Sequence, residues 1–321
     1  MGIITIYTLN RPQTTIRKEL RNFAVEDTSI IDKIFLTDKN NRKILLERQP
    51  NGEWLVNKKF YARPDAINIL LETIKNVEVK YPVSRSAHNN VVKQLAAKSV
   101  KVEIYSGNKL LKTYYVGGPT QDHVGTYMLL ENSTVPMVVY VPGFNGYLTP
   151  RFDTYEKTWR APRIFHYSYP EIYAVSVIYP NKPQNSFKAI NNNNVYQLIS
   201  LRDSTPIKDF DTLAIKLFIG KFKNVNYDVA LTQINPHKRD SIIHSTPKAI
   251  FIVEDIHHKK RILKTFLKET NFTGAKSQIP NQPKYDIDNM YGWLPQDSLF
   301  VIVQYYIFDK LLRTPEDFKK K

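Results

Sequence analysis

Short runs of alternating apolar and polar residues, separated by turn-forming residues, make up much of the chain. Within residues 31–56, the runs "DKIFLTD", "RKILLER" and "EWLV" are separated by "KNN" and "QPNG". Alternation of this kind is typical of half-buried strands, because successive side chains point to opposite faces of a sheet. The segment therefore predicts a three-stranded meander.

Two segments with helical spacing follow this meander. In residues 62–77, "ARPDAINILLETIKNV", apolar residues recur at i, i+3, i+4 and i+7, and Pro64 marks a helix start, where its missing N–H costs nothing. Residues 84–96, "SRSAHNNVVKQLA", have the same spacing, with Ser84 or Ser86 as the N-cap. Both segments predict helices.

The remainder of the first half predicts strands joined by turns. Residues 100–116 are expected to form a hairpin around "SGNK", with further strands near 126–130 and 137–141. Between them, "VGGPTQDHVGTYML" contains three glycines, as a phosphate-binding loop would. Such a loop needs a following helix to supply free N–H groups, and no helical spacing follows here. We therefore expect a turn between strands, made by residues 117–119.

The second half of the chain repeats this order of patterns. "EIYAVSVIYP", "SFKAI" and "NVYQLIS" predict strands, and "PIKDFDTLAIKLFIGKF" predicts a helix with Phe210, Leu213, Leu217 and Phe218 on one face. A hairpin around "IHHKK" and strands in "YGWLP" and "SLFVIVQYYIF" follow. The hairpin segment "KRILKTFLK" also resembles "NKLLKTYYV" of the first half. We therefore predict an α+β fold of two tandem similar units, each of antiparallel strands and hairpins with one or two helices.

The predicted first unit spans residues 26–142, and the second spans 170–321. Between them, residues 143–169 combine Pro and Gly with large aromatic residues and arginine, so we expect a linker or docking loop rather than regular structure. Inside the second unit, residues 268–290 are rich in Asn, Pro and Lys and are expected to form a surface loop.

The linker contains the candidate interface. Its large aromatic and arginine residues are Phe144, Tyr147, Arg151, Trp159, Arg160 and Arg163. Aromatic residues and arginine are enriched at protein interfaces. Two interpretations follow. The loop packs the two units onto each other in a fixed arrangement, which we favour, or it docks an external partner.

Charge and cysteine content narrow the range of functions. The net charge of +16, from 46 basic and 30 acidic residues, is compatible with binding to nucleic acid, anionic lipid or acidic glycan. The basic residues are spread over both halves without a basic tail, so no nucleic-acid partner is expected. The chain has no cysteine, which excludes disulfides, thiolate metal sites and cysteine nucleophiles.

No cluster of titratable residues predicts catalysis or metal binding. The candidates are His88, Asp122, His123, Glu254, His257, His258, Asp286 and Asp288. Adjacent histidines such as His257 and His258 point to opposite sides of an extended strand and rarely chelate one metal. Sequence neighbours such as Asp122 and His123 rarely form a base and its orienting carboxylate. We therefore expect no catalytic residue, no metal and no cofactor.

Several segments resemble those of one known family. They are "KELRNFAVEDTSIIDKIFL", "GGPTQDHVGTYMLLE", "PGFNGYLTPRF" and "VIVQYYIFDKLL". The chain resembles the Bacteroidota family of domain of unknown function 4340 (DUF4340). That resemblance implies one N-terminal membrane helix and an extracytoplasmic body at the cytoplasmic membrane, facing the periplasm. It also implies that residues 1–25 are the remnant of an anchor and a juxtamembrane segment. On its own, the apolar segment 2–9 fits a β-strand equally well, and a body without an anchor would be soluble.

The family has no established catalytic residues that could be assigned to this chain. The expected function therefore rests on what the family resemblance implies. We expect a non-enzymatic, membrane-anchored accessory or scaffold protein of a cell-envelope, transporter or motility complex, with a protein partner in the envelope. The alternative is a binding module for an anionic ligand such as a lipid headgroup or glycan. A hydrolase is the third hypothesis.

Overall fold

The computed structural model describes residues 21–270 and 283–320. The chain divides into two compact units, Met1–Ala161 and Pro162–Lys321. Both units are α+β, with antiparallel sheets as the main structure. The segment 2–9, predicted to be a strand or the end of a membrane helix, lies outside the described residues, as do 271–282 of the predicted surface loop.

The first unit is built on one antiparallel sheet, whose strand order is β4-β3-β2-β1-β6-β7-β8-β9-β5 in the described part of the unit. Its outermost strands, β4 and β5, are short. The strands are β1 (Lys33–Asp38), β2 (Lys43–Arg48), β3 (Trp54–Val56), β4 (Phe60–Tyr61), β5 (Glu78–Pro82), β6 (Val100–Ser106), β7 (Lys109–Pro119), β8 (Thr126–Leu130) and β9 (Met137–Tyr140). The predicted meander and hairpin are thereby confirmed.

The helices of the first unit are α1 (Pro64–Asn76), α2 (Arg85–Lys98) and the one-turn α3 (Glu156–Trp159). Both long helices were predicted. Ser84 caps α2, with its side chain accepting a hydrogen bond from the N–H of Ala87. Leu70 and Ile74 of α1 lie in the core with the inward-facing residues of the sheet. Helix α2 packs on β7 and β8.

Residues near both ends of the first unit contribute to its core. Phe23 is fully buried there, and the N–H of Val25 donates to the carbonyl of Ile74 in α1. Leu148 and Phe152 are buried in the same core. The core of this unit therefore extends beyond the predicted range 26–142 on both sides.

Within the described residues, the second unit has an eight-stranded main sheet of order β13-β12-β11-β16-β17-β18-β19-β15. A separate two-stranded sheet consists of β10 and β14. All strand pairs are antiparallel. The strands are β10 (Arg163–His166), β11 (Ile172–Ile178), β12 (Phe187–Asn192), β13 (Val195–Ser200), β14 (Asn224–Asn226), β15 (Val229–Ala230), β16 (Ala249–Asp255), β17 (Lys260–Glu269), β18 (Tyr285–Leu294) and β19 (Leu299–Gln304).

The helices of the second unit are α4 (Thr212–Gly220), α5 (Pro236–His244) and the one-turn α6 (Tyr305–Phe308). Helix α4 packs its buried residues into the main core. Helix α5 contributes Ile242 and Ile243 to a smaller cluster around Phe266, Tyr291 and Phe300. The second unit therefore has two apolar clusters, one for each of its longer helices.

The predicted face of α4 is only partly correct, since Phe218 is buried but the two leucines assigned to that face are not. Leu213 and Leu217 are 61% and 60% exposed, while Ile215, Phe218 and Ile219 are buried. Phe210 precedes the helix, whose N-cap is Asp211. Six of the nine residues of "TLAIKLFIG" are apolar and extend around most of the helix, so spacing alone did not identify the face that packs on the sheet.

Three further predictions need correction. Residues 117–119 belong to β7, and the turn lies at 120–125, where His123 adopts a positive φ of 57°. "YYIF", predicted as strand, forms α6. The expected loop 268–290 is strand at both described ends, in β17 and β18. Helix α5 was not predicted.

In the described part of the chain, no helix is both long enough and apolar enough to cross a membrane.

Candidate ligand-binding cleft

A cleft of about 900 Å³ opens in the second unit beside the smaller apolar cluster. Five segments form its walls: α5 and the residues after it, β17, β18, the turn that follows β11, and the chain near Leu312. The volume falls within the range of about 300–1,000 Å³ that is typical of small-molecule sites.

Aromatic and aliphatic side chains form one wall of the cleft. Phe266 of β17 and Tyr291 of β18 are directly paired across the two strands and both line the cleft. Tyr291 also stacks on Phe300, with 5.1 Å between ring centroids. Ile242 of α5 and Leu312 extend the apolar surface. An apolar group of a ligand would therefore find a preformed wall.

Three lysines and one acidic residue also line the cleft. Lys182 lies in the turn after β11, Lys238 on α5, and Lys248 directly before β16. Neither Lys182 nor Lys238 forms an ion pair within the described residues. Glu269 supplies the single carboxylate. The lining therefore carries a formal excess of two positive charges.

Two tyrosines fix parts of the cleft. Lys248 Nζ donates to Tyr305 Oη at 2.9 Å and lies 4.3 Å from the centroid of that ring. Tyr179 Oη donates to the backbone carbonyl of Arg313 at 2.8 Å, which ties the C-terminal wall to the end of β11. Burial raises the pKa of Tyr179, so its hydroxyl stays protonated and remains a donor at neutral pH.

The comparison with known families gives one match. The family model of domain of unknown function DUF4340 matches residues 54–236, more than half of the chain. The chain belongs to the DUF4340 family. No curated protein and no solved structure matches it.

The DUF4340 match covers only part of the cleft. It includes Tyr179 and Lys182 but ends at residue 236, before Lys238, Lys248 and Phe266. It includes all six candidate interface residues of the linker. The family description assigns no function to either region.

Within the DUF4340 match, the linker residues belong to the two units separately. Trp159 is 2% exposed in the core of the first unit, and its indole Nε1–H donates to the carbonyl of Asp153 at 2.8 Å. Arg160 lies over the ring of Phe60 at 3.4 Å and pairs with Glu156. Arg163 lies in β10 of the second unit.

Three more of the candidate interface residues lie at the surface of the first unit. The guanidinium of Arg151 stacks on Phe144 at 3.9 Å and donates to Thr73 Oγ1 at 2.8 Å. Burial lowers the pKa of Arg151. Tyr147 lies near His123, with 5.9 Å between ring centroids. Whether these side chains also form an interface with the second unit or with a partner stays a prediction.

The titratable candidates in the DUF4340 chain mostly have structural roles. Asp122 accepts hydrogen bonds from Thr120 and Val124 in the turn after β7 rather than from His123. His88 Nε2 contacts the carbonyl of Thr134 at 3.0 Å. These contacts hold turns and a helix end in place.

Asp286 lies in β18 rather than in a loop. Its carboxylate pairs with Lys268 at 2.5 Å and accepts the backbone N–H groups of Asp288 and Asn289. Burial alone would raise the pKa of Asp286, but these hydrogen bonds outweigh it and hold the pKa below its usual value.

The cleft lined by Lys182, Lys238 and Lys248 is called the lysine cleft below. It was not predicted from the sequence, because its lining residues are distant in sequence. Lys182 and Lys248 are isolated basic residues in segments that look like ordinary turns. One usable signal was available: Lys238 stands in "NPHKRDSIIH", where Asn followed by Pro is a helix-start pattern. Asn235 does cap α5, accepting from the N–H groups of His237 and Lys238.

Proposed function

We propose that the chain is a non-enzymatic accessory protein whose second unit binds an anionic ligand with an apolar chain. The observation that carries this proposal is the arrangement of three lysines around an apolar wall in one cleft. A single-chain anionic amphiphile, such as an alkyl phosphate, matches both features. The negative group would contact the ammonium groups, and the chain would lie against Phe266 and Tyr291.

Charge and burial support this ligand class over a neutral or purely ionic one. A lysine ammonium has three donors and no acceptor, so it favours phosphate or carboxylate oxygens. Each methylene removed from water contributes about 0.8 kcal/mol, so an alkyl chain adds affinity that inorganic phosphate lacks. Lys248 is already held in place by Tyr305, which reduces the entropy lost on binding.

The test is calorimetric titration of the purified protein with dodecyl phosphate below its critical micelle concentration. Inorganic phosphate and dodecyl maltoside serve as the charge-only and chain-only probes. We expect dodecyl phosphate to bind more tightly than either, and its affinity to fall with added salt because the contacts are ionic. Equal binding of dodecyl maltoside would contradict the ionic part of the proposal.

Lysine variants locate the site. Lys182→Gln and Lys238→Gln are each expected to weaken dodecyl phosphate binding about tenfold, since a hydrogen bond to a charged group contributes roughly 1.5–3 kcal/mol. Lys216→Gln is the matched control, because Lys216 is an exposed lysine of α4 that does not line the cleft. If Lys216→Gln weakens binding equally, the ligand responds to net charge and not to the cleft.

The membrane location and the partner are further proposals that rest on family membership. We propose that the body is held at the cytoplasmic membrane, facing the periplasm, where it contacts an envelope protein. Crosslinking in intact cells followed by purification from membranes tests both points. A chain recovered only from the soluble fraction, without a discrete crosslinked partner, would argue against them.

We also propose that the two units arose by tandem duplication. The order of strands supports this: β3-β2-β1-β6-β7-β8-β9-β5 in the first sheet corresponds to β13-β12-β11-β16-β17-β18-β19-β15 in the second. The helices occur at equivalent places, since α1 and α4 follow the first meander and α2 and α5 directly precede β6 and β16.

A row of buried residues across four strands adds support. In the first unit, Leu36 is paired with Ile44 and Val102, and Val102 with Tyr114. The equivalent row in the second unit is Val177, Phe187, Phe251 and Leu263. If these two rows correspond, Tyr114 matches Leu263, whereas the similarity between "NKLLKTYYV" and "KRILKTFLK" places Leu111 opposite Leu263.

A further inference from the structure

A buried carboxylate lies on the outer face of β16, away from the main core. Phe251 and Val253 point into the core, and by strand alternation Glu254 points to the opposite face. Glu254 is nonetheless 7% exposed, because Lys188 and His258 cover it. Its carboxylate accepts from Lys188 Nζ at 3.0 Å and contacts His258 Nδ1 at 2.7 Å.

The charge on Glu254 is stabilised by these two neighbours. Burial alone would raise the pKa of the carboxyl group, but the hydrogen bonds from His258 and Lys188 outweigh burial and hold the pKa below its usual value. Glu254 is therefore ionised at neutral pH, and Lys188 balances its charge. An ionised carboxylate only accepts, so Nδ1 of His258 carries the proton in this contact.

His258 is held in one orientation although its side chain is 66% exposed. It lies in the turn between β16 and β17 with a positive φ of 61°. Asp255 Oδ1 fixes this turn by accepting the N–H groups of His257 and Lys259, each at 2.9 Å. The imidazole also meets the ring of Tyr173 edge-on, at 4.9 Å between centroids.

The remaining ring nitrogen of His258 is available to a ligand. With Nδ1 donating to Glu254, Nε2 is the hydrogen-bond acceptor of the neutral ring, and no described residue bonds to it. A carboxylate that fixes a histidine tautomer in this way is a common feature of binding and catalytic sites.

Tyr173 is positioned by a break in the sheet. The register between β11 and β16 shifts between Ile172 and Ala174, so Tyr173 is the extra residue of a β-bulge. Bulges re-aim a side chain and are frequent beside functional sites. Here the bulge places Tyr173 against His258.

His258 and Tyr173 line a second cleft of about 350 Å³. The other lining residues are Tyr169 and Pro170 before β11, Ile256 after β16, and residues 191–194 of the β12–β13 hairpin. Asn193 and Asn194 adopt positive φ at its tip, and Asn191 Oδ1 accepts the N–H of Asn194. The side chains of Asn192 and Asn193 are exposed and line the cleft. Each amide offers both donors and an acceptor.

We propose that this cleft binds a neutral saccharide. Nε2 of His258 would accept a hydrogen bond from a sugar hydroxyl, the amides of Asn192 and Asn193 would bond to neighbouring hydroxyls, and the ring of Tyr173 would cover an apolar face of the sugar. The charge balance favours a neutral ligand over an anion, because Lys188 is already paired with Glu254. The site shares no lining residue with the lysine cleft and does not depend on the function proposed for it.

Nuclear magnetic resonance of the full chain tests this proposal. The imidazole spectrum should show His258 as the Nδ1–H tautomer when neutral. Titration with N-acetylglucosamine, maltose and cellobiose at about 10 mM, enough to detect millimolar affinity, should shift the resonances of His258 and Tyr173. Glucuronate should cause smaller shifts, and dodecyl phosphate should cause none at these residues. No shift with any of the three neutral sugars would overturn the proposal.

Variants separate binding from folding. His258→Ala is expected to weaken saccharide binding at least tenfold. Because it also removes a hydrogen bond to the buried Glu254, we expect a lower thermal midpoint, and binding is compared well below that midpoint, where the variant is folded. His257→Ala is the matched control from the same turn and should leave binding unchanged. Glu254→Gln should weaken binding less and shift the tautomer of His258. If His257→Ala and His258→Ala have the same effect, the fixed tautomer plays no part and the proposal is wrong.

Discussion

Burial decides the role of single residues more than their type does. Trp159 and Tyr155 are aromatic residues four positions apart in the linker, but Trp159 is buried in the core of the first unit and Tyr155 is 47% exposed. From composition, Trp159 was placed in one candidate interface with exposed residues such as Tyr147. The rings of Trp159 and Tyr155 contribute differently to the stability of the fold. Truncation of a buried ring removes its packing contacts and leaves a cavity, whereas truncation of an exposed ring does not.

Trp159→Ala is therefore expected to destabilise the first unit by about 3–5 kcal/mol. The variant loses the buried ring and also the hydrogen bond from Nε1 to Asp153. Chemical denaturation monitored by circular dichroism measures the change, with Tyr155→Ala as the control, for which a loss of about 1 kcal/mol or less is expected. Equal losses for the two variants would mean that burial of Trp159 contributes little.

The hydroxyl group of Tyr114 is a buried polar group of the first unit. The residue is fully buried between Phe23 and Phe152, and its hydroxyl oxygen has no hydrogen-bond partner among the described residues. Burial raises the pKa of this hydroxyl, which stays neutral. An unsatisfied buried hydroxyl costs about 1–3 kcal/mol.

Tyr114→Phe should thus leave the first unit as stable as before or raise its thermal midpoint. Tyr114→Ala, which removes the ring as well, should lower it strongly, by about 3–5 kcal/mol. Differential scanning calorimetry of both variants provides the comparison. A clear loss of stability in Tyr114→Phe would show that the hydroxyl has a partner after all.

At the scale of elements, β7 and α2 approach each other closely. A Cβ atom on Gly117 would lie 2.6 Å from Leu95 Cδ2 and 3.0 Å from the carbonyl oxygen of Tyr127. A Cβ on the next residue, Gly118, would meet nothing within 4 Å. Neither glycine has a positive φ, so the difference between them is one of space alone.

Gly117→Ala is expected to destabilise the first unit by about 1–3 kcal/mol, because the helix must move away from the strand or Leu95 must leave its rotamer. Gly118→Ala is the neighbouring control and should be nearly neutral. Urea denaturation midpoints of the two variants measure this difference in stability. Indistinguishable midpoints would mean that α2 adjusts without cost.

The elements that sequence predicts correctly are those with a clear period and clear turns. The meander β1 to β3, the helices α1 and α2 and the hairpin β6–β7 all have alternating or helical spacing bounded by turn residues. Helix α5 was missed because "PHKRDSIIH" has only two apolar residues, both in its last turn. "YYIF" was misassigned because aromatic and β-branched residues favour strands.

The candidate clefts were beyond the reach of sequence for a different reason. The lysine cleft combines Lys182, Lys238 and Lys248, which come from two turns and a helix that no local pattern connects. The partners Glu254 and His258 were visible as neighbours in sequence, but Glu254 lies in β16 and His258 lies in the following turn with positive φ. The sequence shows that a carboxylate and an imidazole are close in the chain. It does not show that the backbone of the turn brings Nδ1 of His258 to the carboxylate of Glu254.

At the scale of the whole molecule, each unit has the features of a separate domain. The first has one core, which includes Phe23 near its start and Trp159 near its end. The second has its own main core and the smaller cluster under α5. No residue belongs to the cores of both units within the described part of the chain. Domains with their own cores fold alone in most cases.

We therefore expect residues 1–161 and 162–321, expressed separately, to fold as independent proteins. Each should show cooperative thermal unfolding and dispersed amide resonances, because its sheet and core are complete within its own sequence. The division at 161 is essential to this expectation, since it keeps Trp159 with the first core and Ile164 with the second. Cutting at residue 142 instead removes Leu148, Phe152 and Trp159 from the first core and should leave that fragment unfolded or aggregated. If the fragment 1–142 folds as well as 1–161, the aromatic segment is not part of the first unit, and its contacts there do not stabilise the fold.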